Sequence, residues 1–261
     1  MIRKSILTVS DLHRNAALYG LLSDAISIHH PDVTVMLGDF LDFSGAAVPQ
    51  KTTQECALLI AGLDVAEIVF VRGNHEDADW WNFQDAWKKT GRKLTKLHGE
   101  AEMFGPATVI GFPCLMGDEA AFVWDRPPLP GNPGSWLSHL LEKHGACIRS
   151  LWLMHEPPSG TPLSQANSPV SGNRIWRTAI ERFMPILTVS GHDHQTPIRY
   201  RTWHHRIGST TCVNVGQTEC GPPRYCLVES EFASNVPSLP VNMTVTAYPK
   251  NETVVVYPPL K

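Results

Sequence analysis

The sequence has no long hydrophobic run. None of its apolar stretches approaches the roughly 20 residues that a membrane-spanning helix needs. Residues 1–4 lead directly into a candidate strand, without the apolar region and cleavage site of a secretory signal. We therefore expect a cytoplasmic protein that does not engage a membrane.

Closely spaced cysteines are also lacking. The chain has 6 cysteines but no Cys-x-x-Cys pair, and their spacing fits no zinc-finger pattern. A chain of 261 residues can bury a substantial core and does not need disulfide bonds to fold. We expect reduced thiols in the core or near the surface.

An excess of positive charge is lacking too. The 22 lysine and arginine residues are outnumbered by 25 aspartate and glutamate residues, and the formal net charge is -3. Proteins that bind nucleic acids usually present a basic face, so a general polyanion-binding surface is not expected. A phosphate-bearing substrate held through metal ions is still compatible with this charge, because bound cations can dominate the local field.

What the chain does have is a regular alternation of apolar strands and helices. Residues 5–9, 32–37 and 67–71 have the apolar, β-branched character of buried strands, and residues 14–28 and 53–63 have helical periodicity. This β-α-β rhythm predicts a parallel sheet with right-handed crossovers. Further strands are predicted at residues 107–112, 148–154 and 185–189, and further helices at residues 77–89 and 173–183.

The rhythm changes towards the carboxyl terminus. Short strands without intervening helices predict an antiparallel second sheet, and they are expected at residues 197–200, 204–207, 211–215 and 224–228, with a hairpin at 242–248 and 252–257. Helices on the outer faces would complete an α/β fold, a four-layer αββα sandwich of two mixed sheets flanked by helices. We expect a single domain over residues 1–261. Residues 114–133 have no period, which indicates either a functional loop or lid or elements that the pattern does not reveal.

Five of the predicted strands are followed by loops that carry carboxylate, amide or imidazole side chains. These loops are Asp11-Leu12-His13, Gly38-Asp39-Phe40-Leu41-Asp42, Gly73-Asn74-His75-Glu76, His155-Glu156-Pro157-Pro158 and Gly191-His192-Asp193-His194. In open α/β sheets, ligands bind beyond the carboxyl ends of the strands. We therefore expect the five loops to form one site.

The pooled side chains indicate metal chemistry. The oxygen and nitrogen donors are Asp11, His13, Asp39, Asn74, His155, His192 and His194, with no thiolate among them. Such donors suit manganese, iron, zinc or nickel. They are too many for one catalytic zinc, which takes three protein ligands and a water. They fit two ions that share a bridging carboxylate, roughly 3.5–4 Å apart, as in two-metal hydrolases.

In this order and at these strand ends, the motifs resemble those of the calcineurin-like metallophosphoesterase superfamily. Its motifs are D-x-H, G-D-x-x-D, G-N-H-[DE], H-x-P-P and G-H-x-H, and all five stand intact between residues 11 and 194. The segment Val213-Asn214-Val215-Gly216 also resembles the strand and glycine that follow the last motif. The resemblance implies a metal-dependent phosphoesterase that hydrolyses a phosphodiester or phosphomonoester, with a metal-bridging hydroxide as nucleophile.

The same resemblance implies a role for each motif residue. Asp11, His13 and His194 would hold one metal ion, Asn74, His155 and His192 the other, and Asp39 would bridge them. His75 is expected to be a catalytic acid or charge stabiliser beside the scissile bond, and Asp42 to orient it and keep it protonated. The two divalent ions are expected to be manganese, with iron, zinc or nickel as alternatives.

Two further function classes stay open. One is a scaffold of the same fold that binds partner proteins, and the other is a nuclease. A scaffold has no need of His75 beside intact ligands, and the net charge of -3 argues against a nuclease. A small phosphoester is therefore the expected substrate. Trp80, Trp81, Trp124 and Trp136 are expected to pack in the core or a lid rather than to stack on that substrate.

Overall fold

The computed structural model describes most of the chain. The described residues are 1–41, 51–76, 79–97, 99, 101–104, 107–116, 120–121, 129–130, 135, 137–139, 142, 150–164, 172–194, 196–217, 224–233 and 236–257. In chain order, the elements are β1 (Ile2–Val9), α1 (Ala16–His29), β2 (Val33–Met36), α2 (Thr53–Ala61), β3 (Glu67–Val71), α3 (Trp80–Thr90), β4 (Thr95–Leu97), β5 (Ala101–Phe104), β6 (Ala107–Phe112), β7 (Leu115–Met116), β8 (Ala120–Ala121), β9 (Leu129–Pro130), β10 (Leu151–Met154), α4 (Arg174–Phe183), β11 (Leu187–Ser190), α5 (Thr196–Arg199), β12 (His204–Ile207), β13 (Thr210–Asn214), β14 (Tyr225–Ala233), β15 (Val236–Tyr248) and β16 (Glu252–Tyr257).

Two mixed sheets form the middle of the molecule. The larger sheet has the strand order β16-β15-β14-β1-β2-β3-β4; its strands β1 to β4 run parallel, and β14 to β16 are antiparallel to their neighbours. The second sheet has the order β12-β13-β11-β10-β6-β5, with β6, β10, β11 and β13 parallel. All the strands that precede the five motif loops are therefore parallel strands.

Alternation along the strands divides the apolar side chains between layers. In β3, Ile68 and Phe70 join the cluster beneath helices α1 to α3, while Val69 and Val71 point into the cluster between the two sheets. This follows from the period of two in a strand, because successive side chains leave opposite faces. The first sheet is therefore covered by helices on one face and by the second sheet on the other.

The second sheet divides its side chains in the same way. In β10, Leu151 and Leu153 face the first sheet, whereas Trp152 and Met154 lie in the outer cluster with Trp176 of helix α4. Burying a large apolar side chain contributes roughly 1.5–3 kcal/mol, and all five of these residues are at most 3% exposed. These three apolar layers confirm the four-layer α/β sandwich that the sequence predicts.

Side-chain caps fix where the helices begin. Asn15 accepts a hydrogen bond from the Ala17 main chain at the start of α1, and Thr52 and Glu55 form a reciprocal capping box at the start of α2. Asn173 caps α4 through the Ile175 N–H. Such caps satisfy main-chain N–H groups that have no partner within the helix.

Two predicted features differ from the structure. Residues 197–200 do not form a strand, because the Asp193 side chain accepts the Thr196 N–H and hydroxyl and so begins the helical turn α5. The C-terminal strands do not make up an antiparallel second sheet. Strands β14 to β16 extend the first sheet, while β13 lies parallel to β11 in the second.

Part of the predicted loop at residues 114–133 contains a small sheet of its own, with the order β7-β8-β9. None of the helices in the described part of the chain has the length and apolar content to span a bilayer.

Candidate metal centre

The five motif loops meet where the two sheets adjoin. Main-chain hydrogen bonds join the loops that follow β1 and β2, from Asp11 N to Gly38 O (3.0 Å) and from His13 N to Asp39 O (2.9 Å). A side chain joins the two sheets, because Asp11 Oδ2 accepts the His192 N–H at 2.9 Å. The structure thus brings the predicted donors together in one place.

One group of donors consists of Asp11, His13 and His194. Their candidate ligand atoms all lie within 4.8 Å of one another. His194 Nε2 is 3.2 Å from Asp11 Oδ1 and 3.3 Å from His13 Nε2. Asp11 and His13 are buried, at 2% and 8% exposure, whereas His194 is partly exposed.

The second group consists of Asp39, His155 and His192, again within 4.8 Å. His155 Nε2 is 3.2 Å from Asp39 Oδ2, 3.0 Å from His192 Nδ1 and 3.1 Å from Asn74 Oδ1. Asn74 therefore lies beside this group, as its place in the motif predicts. By distance, Asp39 belongs to the second group, and its role as a bridge to the first stays a prediction.

The main chain at the donors is in an uncommon conformation. Asp11, His13, Asp39 and His192 have φ values of 58°, 43°, 53° and 63°. This left-handed region is disfavoured for residues with a side chain, and such outliers cluster at functional sites. Here these residues turn the chain sharply at the ends of strands β1, β2 and β11, so that the loops that follow face a common centre.

Two glycines permit the close approach of the loops. A Cβ on Gly73 would collide with Asp39 Oδ1, and one on Gly191 would collide with the Ser10 side chain and lie 2.6 Å from Asp11 Oδ2. Because both positions require the absence of a side chain, the glycines of these motifs have a packing role in bringing the donors together.

A main-chain carbonyl orients His155. Its Nδ1 lies 2.7 Å from Leu37 O, and a carbonyl can only accept, so Nδ1 carries a proton and donates it. In the neutral ring, Nε2 then holds the lone pair and faces the second donor group. This arrangement is typical of metal-binding histidines, whose other ring nitrogen donates to a carbonyl or carboxylate.

The crowding of charge shifts the pKa values. Burial alone would lower the pKa of His155, but the Asp39 carboxylate, with help from Asp11, raises it to about 10. Burial and the neighbouring His155 charge lower the pKa of His192 to about 3. Burial opposes ionisation of Asp11 and Asp39, yet the surrounding imidazoles hold both carboxyl pKa values well below their usual range. The site is therefore anionic at its carboxylates.

These residues fit divalent metal ions. Asp11 Oδ1 is buried, and although His194 Nε2 lies 3.2 Å away as a charge partner, the oxygen accepts no hydrogen bond within the described part of the chain. A buried acceptor normally has such a partner. Ring nitrogens of different histidines face each other at 3.0 and 3.3 Å. A cation among such carboxylate and imidazole donors would satisfy all of them.

His75 lies beside the first donor group. The main-chain N–H of His75 donates to Asp39 Oδ1 at 2.9 Å. Its ring centre is 5.1 Å from that of His13, in an edge-to-face arrangement. Its predicted partner Asp42 lies outside the described residues, so the orienting contact stays a prediction.

Three buried acidic residues adjoin motif histidines, and the sequence alone assigns them no role. Glu76, Glu156 and Asp193 each follow a motif histidine, and each accepts hydrogen bonds from other loops or helices. Asn214 Nδ2 donates to Asp193 O at 3.1 Å and to Leu163 O at 2.9 Å, so it holds the last motif loop. Their only sequence signal is their place next to a motif histidine.

The tryptophans near the motifs behave differently from one another. Trp80 is 3% exposed and stacks on Phe83, with ring centres 5.4 Å apart, so it packs in the core as expected. Trp81 is 57% exposed instead. Trp124 and Trp136 lie outside the described residues.

Comparison with known protein families identifies the class to which the chain belongs. The calcineurin-like phosphoesterase model matches residues 4–196, and the chain belongs to this family. No curated protein matches it in sequence.

Solved structures with the same fold cover nearly the whole chain. A dimetal phosphatase from Danio rerio aligns over 97% of this chain and 98% of its own, with 11% identity and a TM-score of 0.58. A protein of Thermus thermophilus aligns over 97% and 98%, with 13% identity and a TM-score of 0.57. GAP50, the anchor in the inner membrane complex of Plasmodium, aligns over 98% and 89%, with 10% identity and a TM-score of 0.52. At these identities the likeness shows the fold.

Proposed function

We propose that the protein hydrolyses a small phosphoester with the help of two divalent metal ions. One ion would be held by Asp11, His13 and His194 and the other by Asn74, His155 and His192, with Asp39 shared between them. The observation that carries this proposal is the convergence of two groups of three donors at the ends of parallel strands. Within each group the candidate ligand atoms all lie within 4.8 Å of one another. Family membership supports the reaction class.

The ions would supply two kinds of chemistry. Divalent ions at such sites lower the pKa of bound water and stabilise the charge of a phosphoryl group. The carboxylates of Asp11 and Asp39 keep their negative charge because neighbouring imidazoles hold their pKa values low. Oxygen donors suit manganese, and imidazole donors suit iron, zinc and nickel. We propose manganese as the ion in the cell, with iron, zinc and nickel as alternatives.

His75 would be the catalytic acid. Its main chain is fixed by the bond to Asp39 Oδ1, while its ring lies at the edge of the first donor group. A positioned imidazolium can protonate the leaving oxygen or stabilise the phosphoryl charge. In this proposal Asp42 keeps the ring of His75 oriented and protonated.

We further propose that residues 1–261 act as one domain in the cytoplasm. Strands β14 to β16 lie beyond residue 196, where the family match ends, yet β14 pairs with β1 from Ile2 to Thr8. The C-terminal strands therefore complete the sheet whose central strands carry Asp11, Asp39 and Asn74.

A turnover assay tests the proposal. Metal-stripped protein should not hydrolyse bis(p-nitrophenyl) phosphate or p-nitrophenyl phosphate, and protein reloaded with manganese should hydrolyse at least one of them. Comparing the two esters distinguishes a diesterase from a monoesterase. The matched control is Glu102→Gln, an exposed residue on β5, which should retain full activity.

The same assay distinguishes the scaffold alternative. The fold likeness to GAP50, an anchor protein, motivates that alternative. Protein that holds two ions per chain and yet turns over neither ester, nor any other small phosphoester, would contradict the proposed activity and favour a scaffold. Hydrolysis of single-stranded or duplex DNA in preference to both esters would favour a nuclease.

A further inference from the structure

The side chain of Glu76 is buried and extensively hydrogen-bonded, yet it has no role in the proposed ligand set. It is 1% exposed, and its two oxygens accept four main-chain hydrogen bonds. Oε2 accepts from Gly73 N at 2.7 Å and from Asp39 N at 3.1 Å. Oε1 accepts from Phe40 N at 2.9 Å and from Leu41 N at 3.3 Å. No role for this residue follows from the proposed ligand set.

The four bonds join two different loops. Gly73 lies in the loop after β3, in the same tight turn as Glu76, whereas the other three N–H groups lie in the loop after β2. Asp39 has a φ of 53° and Gly38 a φ of 92°. Left-handed residues followed by ordinary ones point successive N–H groups to one side, which creates a concave anion site in the main chain. In this protein, the Glu76 carboxylate fills that site.

The consequence is that Asp39 is held at both ends. Its main-chain N–H is bound by Glu76, and its Oδ1 accepts the His75 N–H at 2.9 Å. The remaining oxygen, Oδ2, is the one that lies 3.2 Å from His155 Nε2. The direction of Asp39 Oδ2 is therefore fixed by contacts that do not themselves involve the donor groups.

A carboxylate is the side chain that this arrangement requires. Burial and the neighbouring Asp39 charge raise the pKa of Glu76 to about 8. The four partners are nevertheless all donors, and an ionised carboxylate offers two oxygens that only accept, so these contacts favour the ionised form. Glutamine has the same shape but would place an NH₂ group against two of the main-chain N–H groups. Aspartate keeps both acceptors but is shorter by one methylene group, so it cannot reach both loops equally well.

We propose that Glu76 is a positioning residue that presets Asp39 for metal binding. It holds the loop after β2 in its left-handed turn before an ion arrives, and it contacts neither the substrate nor the ions. This inference rests on the proposed function, in which Asp39 is a metal ligand. The bonds to the main chain can be tested without any metal.

The first measurement is amide hydrogen exchange in the metal-free protein. In wild type, the amides of Asp39, Phe40 and Gly73 should be protected because their N–H groups are buried and bonded. In Glu76→Gln they should exchange at least about 10-fold faster, while the amides of strand β10 keep their protection. Glu76→Asp should fall between the two.

The second measurement is Mn²⁺ binding by calorimetry, with each variant checked for folding by circular dichroism. Loss of a residue that orients a ligand typically weakens metal affinity by roughly 10–100-fold. We expect a loss of this size in Glu76→Gln and partial rescue in Glu76→Asp. Glu102→Gln, which removes an exposed charge, should match wild type in both measurements.

The outcomes separate the two proposals. Unchanged exchange, or faster exchange with unchanged Mn²⁺ affinity, would overturn the role of Glu76 while the proposed function stands. A wild-type protein that binds no divalent ion would overturn the proposed function itself. If Glu76→Gln does not fold, Glu76→Asp carries the test, and Mn²⁺ affinity equal to that of wild type would then overturn the inference.

Discussion

In the metal-free protein, His155 should stay protonated well above neutral pH. Burial disfavours its charge, but Asp39 Oδ2 lies 3.2 Å from Nε2 and the Leu37 carbonyl lies 2.7 Å from Nδ1. With these partners the pKa of His155 is raised to about 10. An imidazolium donates from both nitrogens, so each partner is satisfied only while the ring carries its second proton.

The size of the effect follows from the pKa. At pH 8, a group with a pKa of about 10 is about 99% protonated, whereas an ordinary histidine with a pKa of about 6.5 is only about 3% protonated. The proton stabilises the folded state fully below pH ~6.5. That contribution is lost as the pH rises towards about 10, by up to ~1.4 kcal/mol per pH unit. A metal ion that binds Nε2 must displace this proton, so affinity should rise up to about tenfold per pH unit in that window.

Histidine NMR of the metal-free protein checks the reasoning directly. One ring should titrate near pH 10 and should be absent from the spectrum of His155→Gln. His192, whose pKa is lowered to about 3, should stay neutral over the whole titration and serves as the internal control for His155. Zn²⁺ added at pH 8 should displace the Nε2 proton of His155. If the resonance lost in His155→Gln titrated near pH 6.5, the charge pairing with Asp39 would be refuted.

The remaining predictions concern substitutions at the centre. Asp39→Asn should reduce bound metal as well as rate, because it removes an anionic ligand, and metal analysis that shows two undiminished ions would refute the shared carboxylate. His75→Ala should keep both ions but lower the rate by roughly 10²–10⁴, with a smaller loss for a p-nitrophenyl ester than for an alkyl ester. Equal losses on both esters would show that His75 does not donate a proton. Asp42→Asn should reproduce part of the His75→Ala loss, and unchanged rates on both esters would refute its orienting role.

The sequence predicts the fold and the gathering of the donors because both depend on local patterns. Buried parallel strands are short apolar runs, and β3 shows this clearly, since all but its first residue is buried. Once the strands are recognised as parallel, their carboxyl ends must lie at one edge. Within each sheet this places the loops after β1, β2 and β3 together and those after β10 and β11 together, and the resemblance of the five motifs to those of the family implies that the two groups meet.

The C-terminal topology could not be predicted in this way. Strand β14 pairs with β1 from Ile2 to Thr8, more than 200 residues away in the chain, and so supplies partners for the main-chain N–H and C=O groups on that edge of β1. Nothing in the local pattern of β14 distinguishes this partner from one in the second sheet. The helical turn at Thr196 was also hidden, because it depends on a cap from the Asp193 side chain.

The acidic residues beside the donors follow from the same geometry as the donors themselves. A chain that turns sharply at a strand end leaves main-chain N–H groups without ladder partners, and burial makes each one costly. Glu76 accepts four such groups, and Glu156 accepts the Leu115 N–H at 2.6 Å together with side-chain donors of α4 and its cap. In these two cases the acceptor that satisfies the buried N–H groups follows the motif histidine directly. In this view the pairs His75-Glu76 and His155-Glu156 are single structural units, in which one side chain faces the centre and the next secures the turn that places it there.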